Sequence, residues 1–385
     1  MIPYAKQSID KQDIKEVVSV LKSEMITQGP VVPRFEKLIS SYVSSKYAIA
    51  TNSATSALHI ACLSLELEKN DILWTVGNTF VSTANCAIHC GSSVDFVDIN
   101  LNTYNICIDS LEDKLRLAKK INKLPKILIC VHYAGQSPEM KKIYLLKKQF
   151  GFKIIEDASH AIGAKYLEKH VGSCQFSDIT IFSFHPVKII TTGEGGMALT
   201  NKKKLADRMR LLRSHGITRD KNQITGTKSS EIWNYQQILL GFNYRLTDIQ
   251  AALGCSQFKK IEKFLNKRRA IADKYDKSFK KTQFLIPWQD PNTSSSYHLY
   301  PLKLKEDKQK KSQKSLYNKL HKFGIGVNLH YIPVYLHPYY KKLGFKRGYC
   351  PNTEDFFKKT LSLPIFPDLK INQQKHIIDC LIKIM

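Results

Sequence analysis

Seven short apolar runs, separated by longer amphipathic or turn-rich stretches, constrain this chain more than any other feature. The runs are Tyr47–Thr51, Asp71–Val76, Ser93–Asp98, Ile127–His132, Lys153–Glu156, Ile179–Phe184 and Met197–Thr200. Between them, Ser56–Leu65, Thr83–His89 and Met140–Gln149 carry helical spacing. Parallel strands need a crossover of a dozen or more residues, so this alternation predicts an α/β domain around a mostly parallel seven-stranded sheet. After Asn201 the pattern changes to a long helical segment, Asp248–Phe279, followed by Pro287 and the polar loop Asp290–Ser296. The expected division gives residues 1–245, including an N-terminal segment, to the large α/β domain. Residues 246–385 form a linking helix and a smaller C-terminal α+β domain. There is no internal repeat and no low-complexity tract.

With 385 residues, 43% hydrophobic, the chain is long enough for both cores. Its nine cysteines are odd in number and scattered without a C-x2-C pair, which argues against a disulfide framework or a standard zinc ribbon and for reduced thiols. No metal is expected. The start, Met1-Ile2-Pro3-Tyr4, lacks the apolar region of a secretory signal, and no run approaches the roughly 18 apolar residues of a membrane span, so a cytoplasmic protein is expected. The formal charge of +26 invites a nucleic-acid reading. Only 10 of the 59 basic residues are Arg, however, and the lysines are spread out, as in Lys202-Lys203-Lys204 and Lys308-Gln309-Lys310-Lys311. Readers of base edges rely on arginine's planar fork, and no nucleic-acid motif accompanies the charge. A solvated surface that also draws in an anionic small substrate accounts for it, and no nucleic-acid partner is expected.

The chemistry-bearing stretch runs from Ile179 through Ser183-Phe184-His185-Pro186-Val187-Lys188 to Glu194-Gly195-Gly196. A strand delivers a lysine into a polar turn, and paired glycines let the backbone fold back. Taken out of water, a lysine loses preference for its ammonium form, and the free amine makes a Schiff base with an aldehyde cofactor. A lone lysine there equally suits snorkelling at a strand end. About thirty residues earlier, Lys153–Glu156 leads into Asp157-Ala158-Ser159-His160, with Glu156 and Asp157 aimed to opposite faces. Alone, Asp157 also reads as a helix cap. Paired with Lys188 it meets a requirement of pyridoxal phosphate, whose ring nitrogen needs an anion to make the ring an electron sink. Asn52-Ser53-Ala54-Thr55-Ser56 offers small hydroxyls and free N–H groups at a helix start, as a phosphate cradle or an ordinary N-cap. Phe80 ends another strand, where it would stack on a cofactor ring or join the core.

Together these stretches resemble the DegT/DnrJ/EryC1/StrS sugar aminotransferases, pyridoxal-phosphate enzymes of fold type I, over nearly the whole chain. Further matches are Thr27-Gln28-Gly29-Pro30, Gly241-Phe242-Asn243-Tyr244-Arg245-Leu246 and His330-Tyr331-Ile332-Pro333. Ser183–Lys188, Leu212-Arg213-Ser214-His215-Gly216-Ile217 and Asp157–Ala161 look most like the branch serving pseudaminic acid synthesis. The resemblance implies that Lys188 carries the cofactor and moves protons, that Asp157 holds the pyridine nitrogen, and that Phe80 stacks on the ring. It gives the phosphate to Ser53, Ala54, Thr55, Ser183 and Asn243, the last reaching across from a second subunit of a homodimer with shared active sites. His160 would lie near the cofactor's phenolic oxygen, where the broad family usually has glutamine; it also reads as a packed histidine. For the sugar nucleotide it points to Tyr4, Glu24, Met25, Ile26, Thr27, Ala54, Ser183, Asn243, Asn328, Leu329, His330 and Tyr331. The implied reaction moves the amino group of L-glutamate to C4 of a UDP-linked 4-keto sugar of that pathway, whose product serves flagellin or surface-glycan glycosylation. Another nucleotide ketosugar, UDP-D-xylo-4-keto, dTDP-3-keto or GDP-4-keto, is the alternative. The related sugar dehydratases carry histidine in place of the lysine, so Lys188 argues against them.

Overall fold

The computed structural model describes residues 1–384 apart from 221, 226–230, 232 and 306–311. The lysine run at 308–311 lies outside the described residues. The seven expected strands form one sheet: β1 (Tyr47–Thr51), β2 (Ile72–Val76), β3 (Ser93–Val97), β4 (Ile127–Val131), β5 (Lys153–Asp157), β6 (Ile179–Ser183) and β7 (Gly196–Thr200). Their order is β1-β7-β6-β5-β4-β2-β3. All run parallel except β7, which is antiparallel to both of its neighbours. Reversal has a consequence for the site. Thr51 and Ser183 both end their strands opposite Gly196, the first residue of β7, so the β6–β7 loop hangs over the edge where the parallel strands finish.

Alternate residues of the same strand enter different cores, as a sheet covered on both faces requires. Leu73, Ile127, Ile129, Ile155 and Ile181 face one layer, which contains the nearly all-buried helix Ala54–Ser64 and the helix Ser82–His89. Trp74, Leu128, Cys130 and Ile154 face the other, with the helices Ile108–Lys120 and Met140–Phe150. Helices Lys11–Leu21, Val31–Val43, Ile108–Lys120 and Lys203–Arg213 were not marked out by the periodicity argument. The segment read as one helix over Asp248–Phe279 is two, Asp248–Phe258 and Ile261–Phe279. At the break, Lys260 turns to ion-pair with Asp10 and Asp13 of the N-terminal helix, 2.8 and 2.6 Å away.

The C-terminal sheet is antiparallel, with β8 (Phe284–Leu285), β9 (Tyr300–Leu304) and β10 (Thr360–Leu363) in that order. Leu302, Leu363, Leu316, Leu320, Ile377 and Leu381 make its core. Side chains cross residue 246 in both directions. Ile2 packs against this C-terminal core, while Val334, Tyr335 and Tyr340 pack into the layer beneath β4 and β5. Residues 328–331 are thereby carried up to the carboxyl edge of the large sheet. No helix among the described residues is long and apolar enough to cross a membrane.

Candidate active site

Open α/β sheets bind ligands beyond the carboxyl ends of their strands. A cavity of about 900 Å³ lies there, walled by Val131, Asp157 and Ser183 at strand ends, by Asn52–Ser56, and by Asn328–Tyr331. Its size suits a cofactor together with a substrate.

Lys188 lies on the β6–β7 loop, its backbone N–H donating to the His185 carbonyl at 2.9 Å. Phe184 N–H donates to Gly195 and Thr192 N–H to Phe184, closing the loop on itself. A Cβ on Gly196 would overlap the Ser53 carbonyl and the Ala54 nitrogen, so glycine is required where the cradle turn packs on β7. Lys188 keeps a flank open to the cavity but is otherwise enclosed. Burial lowers its amine from 10.5 to about 8, against the pull of Asp157.

Asp157 is the last residue of β5 and is buried. Its Oδ2 accepts from the Thr83 hydroxyl and its Oδ1 from the Ser159 hydroxyl, both at 2.6 Å. Glu156 points to the opposite face, as strand alternation demands, and meets His132 at 2.9 Å. His160 is buried on the cavity wall, with its Nε2 3.0 Å from the Tyr331 hydroxyl and its Nδ1 without a protein partner. Burial, reinforced by Lys188, pushes its pKa well below the usual value, so it is neutral. His298 packs against it, ring centroids 4.3 Å apart, and burial keeps it neutral too.

Ser53 caps the helix Ala54–Ser64 with extended backbone, its Oγ accepting from Ser56 N–H at 3.1 Å. The first N–H groups of that helix have no intrahelical acceptor and face the cavity wall. Phe80 lines the cavity with 58% of its surface exposed, 6.3 Å from the Tyr331 ring. Tyr4 sits 5.5 Å from the His330 ring. His330 is held by Ser362 at 2.8 Å, and burial followed by Lys188 lowers it to about 3.

Of the expected site residues, Tyr4, Ser53, Ala54, Thr55, Phe80, Asp157, His160, Ser183, Lys188 and Asn328–Tyr331 line this one cavity. Asn243 and Glu24–Thr27 do not. Asn243 is exposed beside Asn52, and Glu24–Thr27 lie exposed at the start of helix Asp248–Phe258, whose Asp248 N–H donates to Thr27. Sequence reasoning missed Thr83, Ser159 and His298. The first two stood inside quoted stretches, two residues after Asp157 or three after Phe80; no local signal marked His298.

A flat ring carrying a phosphate and an aldehyde fits these walls. An apolar face waits at Phe80, free amides at residues 54–55, a partnerless nitrogen at His160, a carboxylate opposite and an amine that gives up its proton easily. Chemistry of this kind, on a seven-stranded sheet with one reversed strand, is that of the pyridoxal-phosphate-dependent aminotransferases of fold type I. The family description "DegT/DnrJ/EryC1/StrS aminotransferase family" matches residues 7–382, and the chain belongs to that family. It is 40% identical to the UDP-4-amino-4,6-dideoxy-N-acetyl-β-L-altrosamine transaminase of Campylobacter jejuni (serotype O:23/36), over 100% of this chain and 98% of that protein. Among solved structures, Helicobacter pylori PseC, an aminotransferase of pseudaminic acid biosynthesis, superposes with a TM-score of 0.89 at 34% identity, covering 99% of this chain and 98% of that one. The pyridoxal-phosphate form of a sugar aminotransferase from Streptococcus pneumoniae gives 0.88 at 27% identity, covering 100% and 99%. The protein is accordingly a pyridoxal-phosphate-dependent sugar aminotransferase, acting between an amino donor and a nucleotide ketosugar.

Proposed function

We propose that this enzyme transfers the amino group of L-glutamate to C4 of UDP-2-acetamido-2,6-dideoxy-β-L-arabino-hex-4-ulose, giving UDP-4-amino-4,6-dideoxy-N-acetyl-β-L-altrosamine. The observation that carries the reading is Lys188 and Asp157 facing one cavity of about 900 Å³, in a chain whose full-length relatives are named for this reaction. When bound, pyridoxal phosphate supplies an electron sink for the carbon that loses or gains a proton. Lys188 does the proton work: with its amine near 8, both protonation states are accessible close to neutral pH, so Nζ can take a proton from one face of the reacting carbon and return it. Asp157, fixed by Thr83 and Ser159, would present its charge to the bound cofactor's ring nitrogen. Neutral His160, steadied by Tyr331, would offer an uncharged ring to the bound cofactor's phenolic oxygen. The helix start at Ser53–Thr55, with Ser183, would hold the phosphate through N–H and O–H groups.

Among the described residues of the cavity wall, Lys188 is the one Lys or Arg. A diphosphate calls for more positive charge, and a second copy of the chain would bring it. Exposed Asn243, the exposed apolar side chains Trp233 and Leu240 of the segment before it, and the exposed Glu24–Thr27 segment support a homodimer with shared sites. Free cysteines suit a reducing cytoplasm, and the name of the Helicobacter pylori structure supports a place in pseudaminic acid synthesis; delivery of the product to flagellin glycosylation is part of this proposal. Single-turnover analysis tests the reaction. L-glutamate alone should yield one 2-oxoglutarate per site, and the UDP-ketosugar, added next, should discharge the loaded enzyme. No 2-oxoglutarate from cofactor-loaded protein would overturn the donor assignment, and a loaded enzyme that the sugar leaves unchanged would overturn the acceptor.

A further inference from the structure

Residues 2–4 belong to no helix or sheet, yet they are tied to the C-terminal unit at both ends. Ile2 lies parallel to Ile325 as a one-residue strand: its N–H donates to the Gly324 carbonyl and its carbonyl accepts from Gly326 N–H, each at 2.7 Å. Two residues on, the Tyr4 carbonyl accepts from Ile365 N–H at 3.1 Å. The Ile2 side chain packs on the C-terminal core. Fixing a stretch of chain costs conformational entropy, and these three bonds with that apolar contact offset it.

The ties hold the Tyr4 ring on the cavity wall, 5.5 Å from the His330 ring. That wall extends the C-terminal sheet. Asn328 N–H donates to the Ser362 carbonyl at 3.3 Å, and Ser362 N–H donates back to Asn328 at 2.8 Å. His330 is held by the Ser362 hydroxyl at 2.8 Å, and its carbonyl accepts from the Tyr133 hydroxyl at 2.7 Å. The groups that serve the cofactor, Lys188, Asp157, His160 and Ser53–Thr55, are held instead by the large sheet and its loops. Gly326 is the tight point of the clip. The three atoms nearest a Cβ at that position would be the Ile2 carbonyl oxygen at 2.9 Å, and Pro3 Cα and the Tyr4 nitrogen at 3.4 Å, all backbone of residues 2–4. A larger residue at 326 therefore meets this segment before it meets the core.

We infer that Ile2 and Gly326 are positioning residues for the acceptor half of the reaction, their backbone pairing setting Tyr4 on the wall along which a sugar nucleotide lies. The inference rests on the nucleotide-ketosugar reading of the acceptor. The amino donor is small and reacts at the cofactor, whereas a sugar nucleotide extends past it along the cavity, so the clip serves one substrate and not the other.

Gly326→Val, Tyr4→Ala and the double variant test this, each as cofactor-loaded protein with the two half reactions followed separately. In Gly326→Val the KM of the UDP-ketosugar should rise about tenfold with kcat within about twofold, the signature of lost binding rather than lost chemistry. Its formation of 2-oxoglutarate from L-glutamate should stay within about twofold of wild type, which also shows that the variant is folded. Tyr4→Ala should raise the ketosugar KM at least as far, and adding Gly326→Val to it should change little, because Gly326 acts through Tyr4. Hydrogen exchange of the Ile365 amide, which the Tyr4 carbonyl protects, should be about tenfold or more faster in Gly326→Val by mass spectrometry. No rise in ketosugar KM, equal loss in both half reactions, additive effects in the double variant, or unchanged Ile365 exchange would overturn the proposal. A wild type that the ketosugar fails to discharge would count against the acceptor reading, and the exchange result, which needs no substrate, then decides the clip.

Discussion

Exchanging Lys188 for methionine removes an amine whose charge the fold disfavours, so the cofactor-free variant should be inactive yet more stable than cofactor-free wild type. The unfolded chain holds this proton up to the ordinary 10.5, whereas the folded chain releases it through about 8. At about 1.36 kcal/mol per pH unit, that gap from 10.5 to about 8 corresponds to roughly 3 kcal/mol. Lys188 is only half-buried, and water in the open cavity screens it, so about 1.5 kcal/mol is expected. The sign follows from linkage. Below about pH 8 both states are protonated and wild type bears the whole penalty; between about 8 and 10.5 the folded state sheds the charge and the penalty fades. Urea unfolding of both apoproteins at pH 7 and at about pH 10 reads this out, because every other titrating group is common to the pair. Methionine matches the volume of the lysine stem, so repacking costs little. A variant less stable than wild type at pH 7, or an advantage that does not shrink at the higher pH, would refute the claim that Lys188 is desolvated.

Asp157→Asn keeps the shape that Thr83 and Ser159 grip but removes the charge, and should lower kcat by about 100-fold or more in steady-state assays; a change under about threefold would deny Asp157 its role. Gly196→Ala should weaken pyridoxal phosphate binding about tenfold or more in equilibrium dialysis, since its Cβ meets the Ser53–Ala54 backbone. Unaltered affinity would remove the cradle from that turn. Tyr331→Phe strips the hydroxyl from His160 Nε2 and should cost about 1–3 kcal/mol in thermal or urea unfolding; equal stability would mean the bond contributes nothing.

Local patterns carried the large sheet well, because short apolar runs flanked by turns leave little choice. Ile72–Val76 and Ile179–Ser183 fall within a residue of expectation at each end. The one-residue extension of β5 matters more, since it makes Asp157 a strand residue rather than part of a turn. Strand direction was not legible: Met197–Thr200 reads the same either way, and only the sheet order shows that it is reversed and hangs Lys188 over the edge. The break near Lys260 was hidden for a similar reason, as its partners Asp10 and Asp13 are about 250 residues away in sequence. Lys188, Asp157 and Ser53 stood out because their chemistry is written within a few neighbours. The contact of His298 with His160 depends on a C-terminal segment folding back across the sheet, and no spacing encodes it.

Product analysis tests the central claim most directly. Pure protein, pyridoxal phosphate and L-glutamate are mixed with the UDP-N-acetyl-6-deoxy-4-keto sugars of L-arabino and D-xylo configuration in separate reactions, with mass spectrometry for amination and proton NMR for stereochemistry at C4. The account predicts amination of the L-arabino ketone to the 4-amino-altrosamine sugar. Amination of the D-xylo ketone alone, or of neither while glutamate still yields 2-oxoglutarate, would contradict it.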